Sequence, residues 1–393
     1  MNSRPDLPQS ASPAGSALRI AVYPYSDWAR VESQWSQLVD QSPYSSFFLT
    51  VAWVRSWLES YGDLLKPEIL FFHAEEEAVG ACLLVYRTLR RGPFPVRCVF
   101  LNTAGEDEIE ETCADFNNLL CLSGWERPVV AALKVHLDQH RLDEIAATGF
   151  APGTPLDALS EAFAGLIPLQ NLRPSYYVDL ARLRDQNLTY EAALSKKTRG
   201  NVRRHSRKYG DVQLQAAADV PEALRMFEEL TALHQSTWKT RGRSGSFAAP
   251  RKVAFLQELI RTAFPTGAIQ VLRVSAAGET IGIKMNFLHR GKVYSYTSGL
   301  RYGPDPQMSP GIVTLAAIVG YCLEQGSNEY DFLAGDAQYK KLLSTDYRNL
   351  AWVVFQRPSV KRKAIEVLRG IKRRAAQLSK HASEAGSNSA ETE

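Results

Sequence analysis

Residues 309–313, Ser-Pro-Gly-Ile-Val, open a long apolar stretch and carry the sharpest chemical signal in the chain. Serine suits a helix N-cap, proline suits the first helical position, and Gly311 leaves no side chain beside the exposed amides. The free N–H groups of Gly311, Ile312 and Val313, with the positive end of the helix, would form an anion site suited to a pyrophosphate. A second cluster, Gly335-Asp336-x-x-Tyr339-Lys340, places a carboxylate, a phenol and an amine within a few residues. A third is cationic. Arg199, Arg203 and Arg207 recur every four residues within 195–209, a stretch with seven Lys or Arg and no acid. On one helix face they could hold an anionic acceptor or carrier, such as a nucleotide-sugar diphosphate. The stretch lacks interleaved aromatics and any recognisable module, so nucleic acid is not an expected partner. The five cysteines, at 82, 98, 113, 121 and 322, form no C-x-x-C pair and no zinc-ligand spacing. No metal is expected, and a reduced, cytoplasmic protein is.

The elements that would position these groups follow an α/β pattern. Residues 1–17 read as a disordered leader without the apolar core of a signal peptide. A strand at 18–22 and helices at 26–38 and 51–61 come next, the first with Trp28, Val31, Trp35 and Leu38 at spacings of three and four. Strands are expected at 69–74, 79–86, 96–101, 129–132 and 176–180, and a helix around 133–140. The acidic run 106–115 reads as solvated helix or loop rather than as a site. From 189 the pattern gives helices at 195–209, 219–239 and 253–262, strands at 269–274, 280–288 and 292–298, the apolar helix to 324, a strand at 329–333, a short helix at 339–343 and a strand at 351–355. The hairpins 69–87 and 271–289 share a pattern at an offset of 202, with Val79-Gly80 falling on Ile281-Gly282. Their even placement suggests a tandem duplication.

The formal net charge of +4 is a cancellation. The stretch 195–209 contributes seven positive charges, and 357–380 contributes nine cations against one acid, so the rest of the chain carries −11. The tail, with Val360, Ile365, Val367, Leu368 and Ile371 among its cations, is suited to peripheral contact with an anionic membrane surface.

The second half resembles the GNAT acyltransferase fold, and the whole chain resembles the CelD/BioF-like acetyltransferases, relatives of the FemAB aminoacyltransferases with two GNAT-like halves. The residues that carry the resemblance are Ser45-Ser46-Phe47-Phe48 with Trp53 and Trp57, Lys196 to Arg204, His234 with Trp238 and Arg241, Ser309-Pro310-Gly311, and Tyr330 to Asp336 leading to Tyr339-Lys340. One departure stands out: Gln307-Met308-Ser309-Pro310-Gly311 keeps a single glycine where the usual pyrophosphate loop has two. The resemblance implies a fold of mixed central sheets flanked by helices in two halves, 18–185 and 186–357, followed by a basic tail at 358–393. It implies an enzyme taking acetyl-CoA as co-substrate. Tyr296, Thr297 and Ser298 would supply an oxyanion donor, and Asp336 or His234 the base. Tyr339 would be the acid, Lys340 a charge stabiliser, and Trp238 and Arg241 acceptor contacts. The expected acceptor is an amine or hydroxyl of a small or carrier-linked anionic molecule, a sugar or an envelope or exopolysaccharide precursor. Two alternatives stay open: a FemAB-type aminoacyltransferase acting on a peptidoglycan precursor, and a GNAT-like binding protein without catalysis.

Overall fold

Helical and alternating spacing in the sequence produce most of the elements expected of it, and a computed structural model describes residues 18–303, 305 and 307–371. The readings made for the leader 1–17 and for residues 372–393 lie outside the described residues. The first half runs β1 (Arg19–Pro24), α1 (Trp28–Gln41), α2 (Val51–Leu65), β2 (Glu68–Ala74), β3 (Glu77–Arg91), β4 (Phe94–Leu101), β5 (Leu120–Cys121), α3 (Glu126–Asp138), β6 (Glu144–Phe150), α4 (Thr154–Ala162) and β7 (Ile167–Asp179). The second runs α5 (Leu180–Asp185), α6 (Tyr190–Ala193), α7 (Lys196–Tyr209), β8 (Val212–Ala216), α8 (Val220–Thr240), α9 (Pro250–Ala263), β9 (Ile269–Ala276), β10 (Glu279–His289), β11 (Lys292–Leu300), α10 (Pro310–Glu324), β12 (Glu329–Ala334), α11 (Gln338–Leu343) and β13 (Asp346–Gln356). The strand expected at 129–132 is instead part of α3. Val129, Val130, Leu133 and Leu137 are its buried residues, a helical spacing that outweighs the local β-propensity of the valines.

All the strands join one sheet in the order β1-β2-β3-β4-β6-β13-β7-β12-β11-β10-β9-β8, with β5 on β3. The two halves therefore exchange strands. β13, from the end of the second half, pairs with β6 of the first, and β7 pairs with β12 of the second. β7 and β13 pair with each other from Asp346↔Tyr177 to Gln356↔Ile167.

The duplication expected from the hairpins holds to the residue. Phe72 pairs with Gly80 and Val274 with Gly282, while His73 pairs with Ala78 and Ser275 with Thr280. Each hairpin thus carries a bulge at the equivalent position, Val79 or Ile281. Both glycines lie under a helix: a Cβ on Gly80 would stand 2.7 Å from Val129 of α3, and one on Gly282 would stand 2.3 Å from Thr314 of α10. One apolar core spans both halves. Phe47 stacks on Phe287 at 4.3 Å, and Trp53 packs edge-on against Phe255 at 5.0 Å. The Ser45-Ser46-Phe47-Phe48 motif is part of that seam, with Ser45 Oγ 3.1 Å from His289 Nε2 and Ser46 Oγ donating to Phe116 O.

Candidate active site

β11 and β12 run parallel and pair only at Lys292–Tyr294 and Glu329–Asp331. Beyond that they part, and a cleft of about 560 Å³ opens between the halves. Two irregularities cause the parting. Met285 pairs with Thr297 but Asn286 with Ser295, so Tyr296 is an extra residue on β11. On β12 the pairing with β7 shifts between Asp331 and Ala334, and Leu333 adopts a left-handed φ of 61°. That conformation costs a non-glycine residue ~1–2 kcal/mol, so the surroundings must hold it.

They do so with several polar contacts. The fully buried Asp331 accepts from Leu333 N at 2.8 Å and from Ser175 Oγ at 2.6 Å, and its other oxygen lies 3.1 Å from Lys292 Nζ. Asp115, from the loop after β4, accepts from Ala334 N at 2.7 Å. Lys340 Nζ donates to Leu333 O at 3.0 Å and to Ala334 O at 2.8 Å.

The cleft wall concentrates titratable groups with displaced acidities. Lys284 of β10 is 5% exposed, and burial, with Lys340 as a like charge, brings its ammonium down to about 7. Burial raises Asp115 to about 6, against the opposing pull of the Ala334 N–H and Lys340. Burial also raises Glu106, which accepts from Trp57 Nε1 at 2.5 Å and from Thr112 Oγ1 at 2.8 Å. His234 is lowered by burial; its Nε2 accepts from Trp238 Nε1 at 2.9 Å, and its Nδ1 lies 3.3 Å from Gln235 Oε1. Arg173 also lines the cleft, with its guanidinium 4.3 Å from the Trp352 ring centroid.

The start of α10 has the expected form. Ser309 occupies the cap position with φ −121° and ψ 80°, and no side chain caps the helix. A Cβ on Gly311 would meet only Leu300 Cδ1 within 4 Å, at 3.2 Å. Val313 N is already bonded to Ser309 O, which corrects the expectation for it: the uncapped amides are those of Gly311 and Ile312. Val313 itself is buried in the core.

The structure brings Tyr296, Thr297, Ser298, His234, Tyr339 and Lys340 together in the cleft wall. It does not bring Asp336 there; that side chain is exposed and accepts from Tyr176 OH at 3.3 Å. The α7 arginines do not line the cleft either. Arg203 pairs with Glu191 at 2.9 Å, and Arg199 donates to Ala192 O. Arg207 lies on the same helix, whose buried residues are Thr198 and Val202. The C-terminal end of α7 reaches the loop before α10, where Lys208 Nζ donates to Gln307 Oε1 at 2.7 Å. Trp238 and Arg241 stand behind His234, with the Arg241 guanidinium 5.6 Å from the Trp238 ring centroid. The acidic run 106–115, read from sequence as solvated, instead closes one side of the cleft, because the second half covers it. The sequence raises no expectation for Lys284 or Arg173 as cleft residues, and gives Glu106 and Asp115 only that of solvated residues. The one local signal was Lys284 itself, a lone cation in the apolar run 281–288.

Of the basic tail, residues 360–371 are helical, with Ile365 packed on Val96 and Cys98 and Lys361 bonded to Asp143 Oδ2 at 2.6 Å. Among the described residues, no helix is long and apolar enough to cross a membrane, and no three His, Cys, Asp or Glu are grouped to hold a metal ion.

The sequence model of the acetyltransferase (GNAT) domain matches residues 196–341, the segment that supplies β10, β11, α10, β12 and one wall of the cleft. Residues 196–341 thus match a GNAT domain. Around that GNAT domain, the fold of the whole chain is similar to that of FemX, with a TM-score of 0.55 and 11% identity over 83% of this chain and 96% of that one. It is similar to a conserved protein of unknown function from Bacteroides thetaiotaomicron, with a TM-score of 0.53 and 8% identity over 86% and 99%. It is also similar to the C-terminal domain of a proposed lysylphosphatidylglycerol synthetase from Agrobacterium fabrum, with a TM-score of 0.51 and 11% identity over 87% and 95%. No curated protein matches the sequence. These likenesses show a fold shared by the whole chain with all three.

Proposed function

We propose that this protein transfers an acetyl group from acetyl-CoA to an amine or hydroxyl of a sugar or cell-envelope precursor. The observation that carries this reading is the parting of β11 from β12 beside an uncapped helix start. The amides of Gly311 and Ile312 would hold pyrophosphate oxygens. The thioester arm would lie between the parted strands, and the acceptor would sit between them and the wall formed by residues 106–115. A backbone N–H on the unpaired edge of β11, between Tyr296 and Ser298, would donate to the oxyanion that develops on the thioester carbonyl. Tyr339 lines the cleft and is 44% exposed; partial desolvation raises its phenol above the usual range, so it carries the proton that the departing thiolate would take. Lys340 would act mainly through β12, whose carbonyls it binds.

Among the described residues no coiled-coil arm interrupts the second half, which favours acetyl transfer over the FemAB alternative. The test is release of free thiol from acetyl-CoA by the full chain, across a panel of aminosugars and with aminoacyl-tRNA as the competing donor. Acceptor-dependent thiol release is the expected result. Turnover of aminoacyl-tRNA alone would move the assignment to the FemAB alternative, and binding of acetyl-CoA without turnover would make the protein a binding module.

A further inference from the structure

Four titratable groups of the cleft wall are already committed to partners. The His234 Nε2 lone pair accepts the Trp238 indole. Glu106 is held by Trp57 and Thr112, and Asp115 by the Ala334 amide. Lys340 spends its protons on the Leu333 and Ala334 carbonyls. Lys284 is different: among the described residues it has neither a hydrogen-bond nor an ion-pair partner, although it is 5% exposed. Burying an amine without a partner costs several kcal/mol if it stays charged, so a site that keeps one has a use for its lone pair or for its charge. Its strand partner on β11 is Ser298, at the end of the segment whose free edge borders the cleft. At the equivalent position of the first half, 202 residues earlier, stands Cys82, which is fully buried in an apolar cluster. The fold therefore does not need a lysine there.

Resting on the acyl transfer proposed above, we infer that Lys284 is the general base that takes the proton from the acceptor. In the step, the acceptor nitrogen bonds to the thioester carbonyl carbon and its N–H proton passes to the neutral Nζ of Lys284. The C–S bond then breaks, the thiolate takes a proton from Tyr339, and an amide is left. Lys284 afterwards releases its proton to solvent through the open cleft and the Tyr339 phenolate takes one up from solvent, so both groups return to their starting states and the protons balance. The charged and titratable groups around it favour a neutral resting state or oppose it as follows. Lys340 on α11 and Arg173 on β7 add positive charge, Asp115 and Glu106 from the loop after β4 add negative charge, and His234 on α8 is itself held neutral by burial. Lys340 is the neighbour whose charge is felt at Lys284, and burial is the larger effect.

The experiment uses the full chain, acetyl-CoA and hydroxylamine as a small acceptor amine. Lys284→Met should lower kcat by about 10²–10⁴-fold while leaving the calorimetric affinity for acetyl-CoA unchanged. Lys284→Arg should lose as much, because a guanidinium keeps the charge but cannot give up its proton. In the wild type kcat/KM should rise with pH through about 7, and that limb should vanish in both variants. Wild-type activity and pH profile in Lys284→Arg would overturn the inference and make the residue an anion-binding charge. A ¹³C-methyl-lysine titration of the protein alone reads the same residue without any substrate. A midpoint near 7 supports the inference, and one near 10 overturns it. Because that titration needs no donor, its outcome is separable from a failure of acetyl-CoA to bind.

Discussion

Cys82 and Lys284 show how one residue divides two duplicated halves into a structural half and a reactive one. Keeping a lysine buried has a cost that linkage makes measurable. With an ordinary value of 10.5 and a folded value of about 7, the folded and unfolded chains are both protonated below pH 7, where the penalty is complete. Between about 7 and 10.5 the unfolded chain binds more protons, so stability rises with pH across that window. Lys284→Met removes the penalty. At pH 7 the variant should be more stable than the wild type by up to about 4 kcal/mol, and so unfold at a higher temperature. The gain should shrink as pH approaches 10; an equal gain at both pH values would contradict the burial of a displaced ammonium. A more stable, inactive variant is the pattern expected of a residue retained for chemistry.

At the scale of elements, the duplicated hairpins offer a matched comparison. Gly80→Ala and Gly282→Ala each force a Cβ into a crossing helix, at 2.7 Å and 2.3 Å. Both should destabilise the protein by ~1–3 kcal/mol, since overpacking displaces backbone. Only Gly282→Ala displaces α10, so it alone should weaken acetyl-CoA binding, by about tenfold or more in calorimetry. Equal affinity in the two variants would show that α10 does not hold the donor. These elements were legible because their signals are local. The Gly in each hairpin, the spacing of Trp28, Val31, Trp35 and Leu38, and the Ser-Pro-Gly helix start all lie within a few residues of what they determine. The role of the loop 106–115 was not legible, because Asp115 becomes a buried cleft residue only when Ala334 arrives from 219 positions away. Arg199, Arg203 and Arg207 were misplaced for the converse reason. Their spacing gave the helix, but the partners Glu191 and Ala192 are what turn two of them away from the cleft.

The whole molecule is tied together by exchanged strands. β7 stands between β12 and β13, and β13 between β6 and β7, so neither half completes its own sheet. Sequence periodicity identifies strands but not partners in the other half, and the exchange could not be read from it. A fragment of residues 186–371 would expose the edges of β12 and β13 that β7 covers, and should be insoluble or unfolded by circular dichroism. The intact chain should melt in a single calorimetric transition; two independent transitions would contradict the shared sheet. All of these features converge on one place, the gap between β11 and β12 at the start of α10. The most direct test of its use is a calorimetric titration of acetyl-CoA into the full chain and into Gly311→Trp, with the fold of each checked by circular dichroism. Saturable binding to the wild type that is abolished in the folded variant is the predicted result. No binding to the wild type, or undiminished affinity in Gly311→Trp, would contradict it.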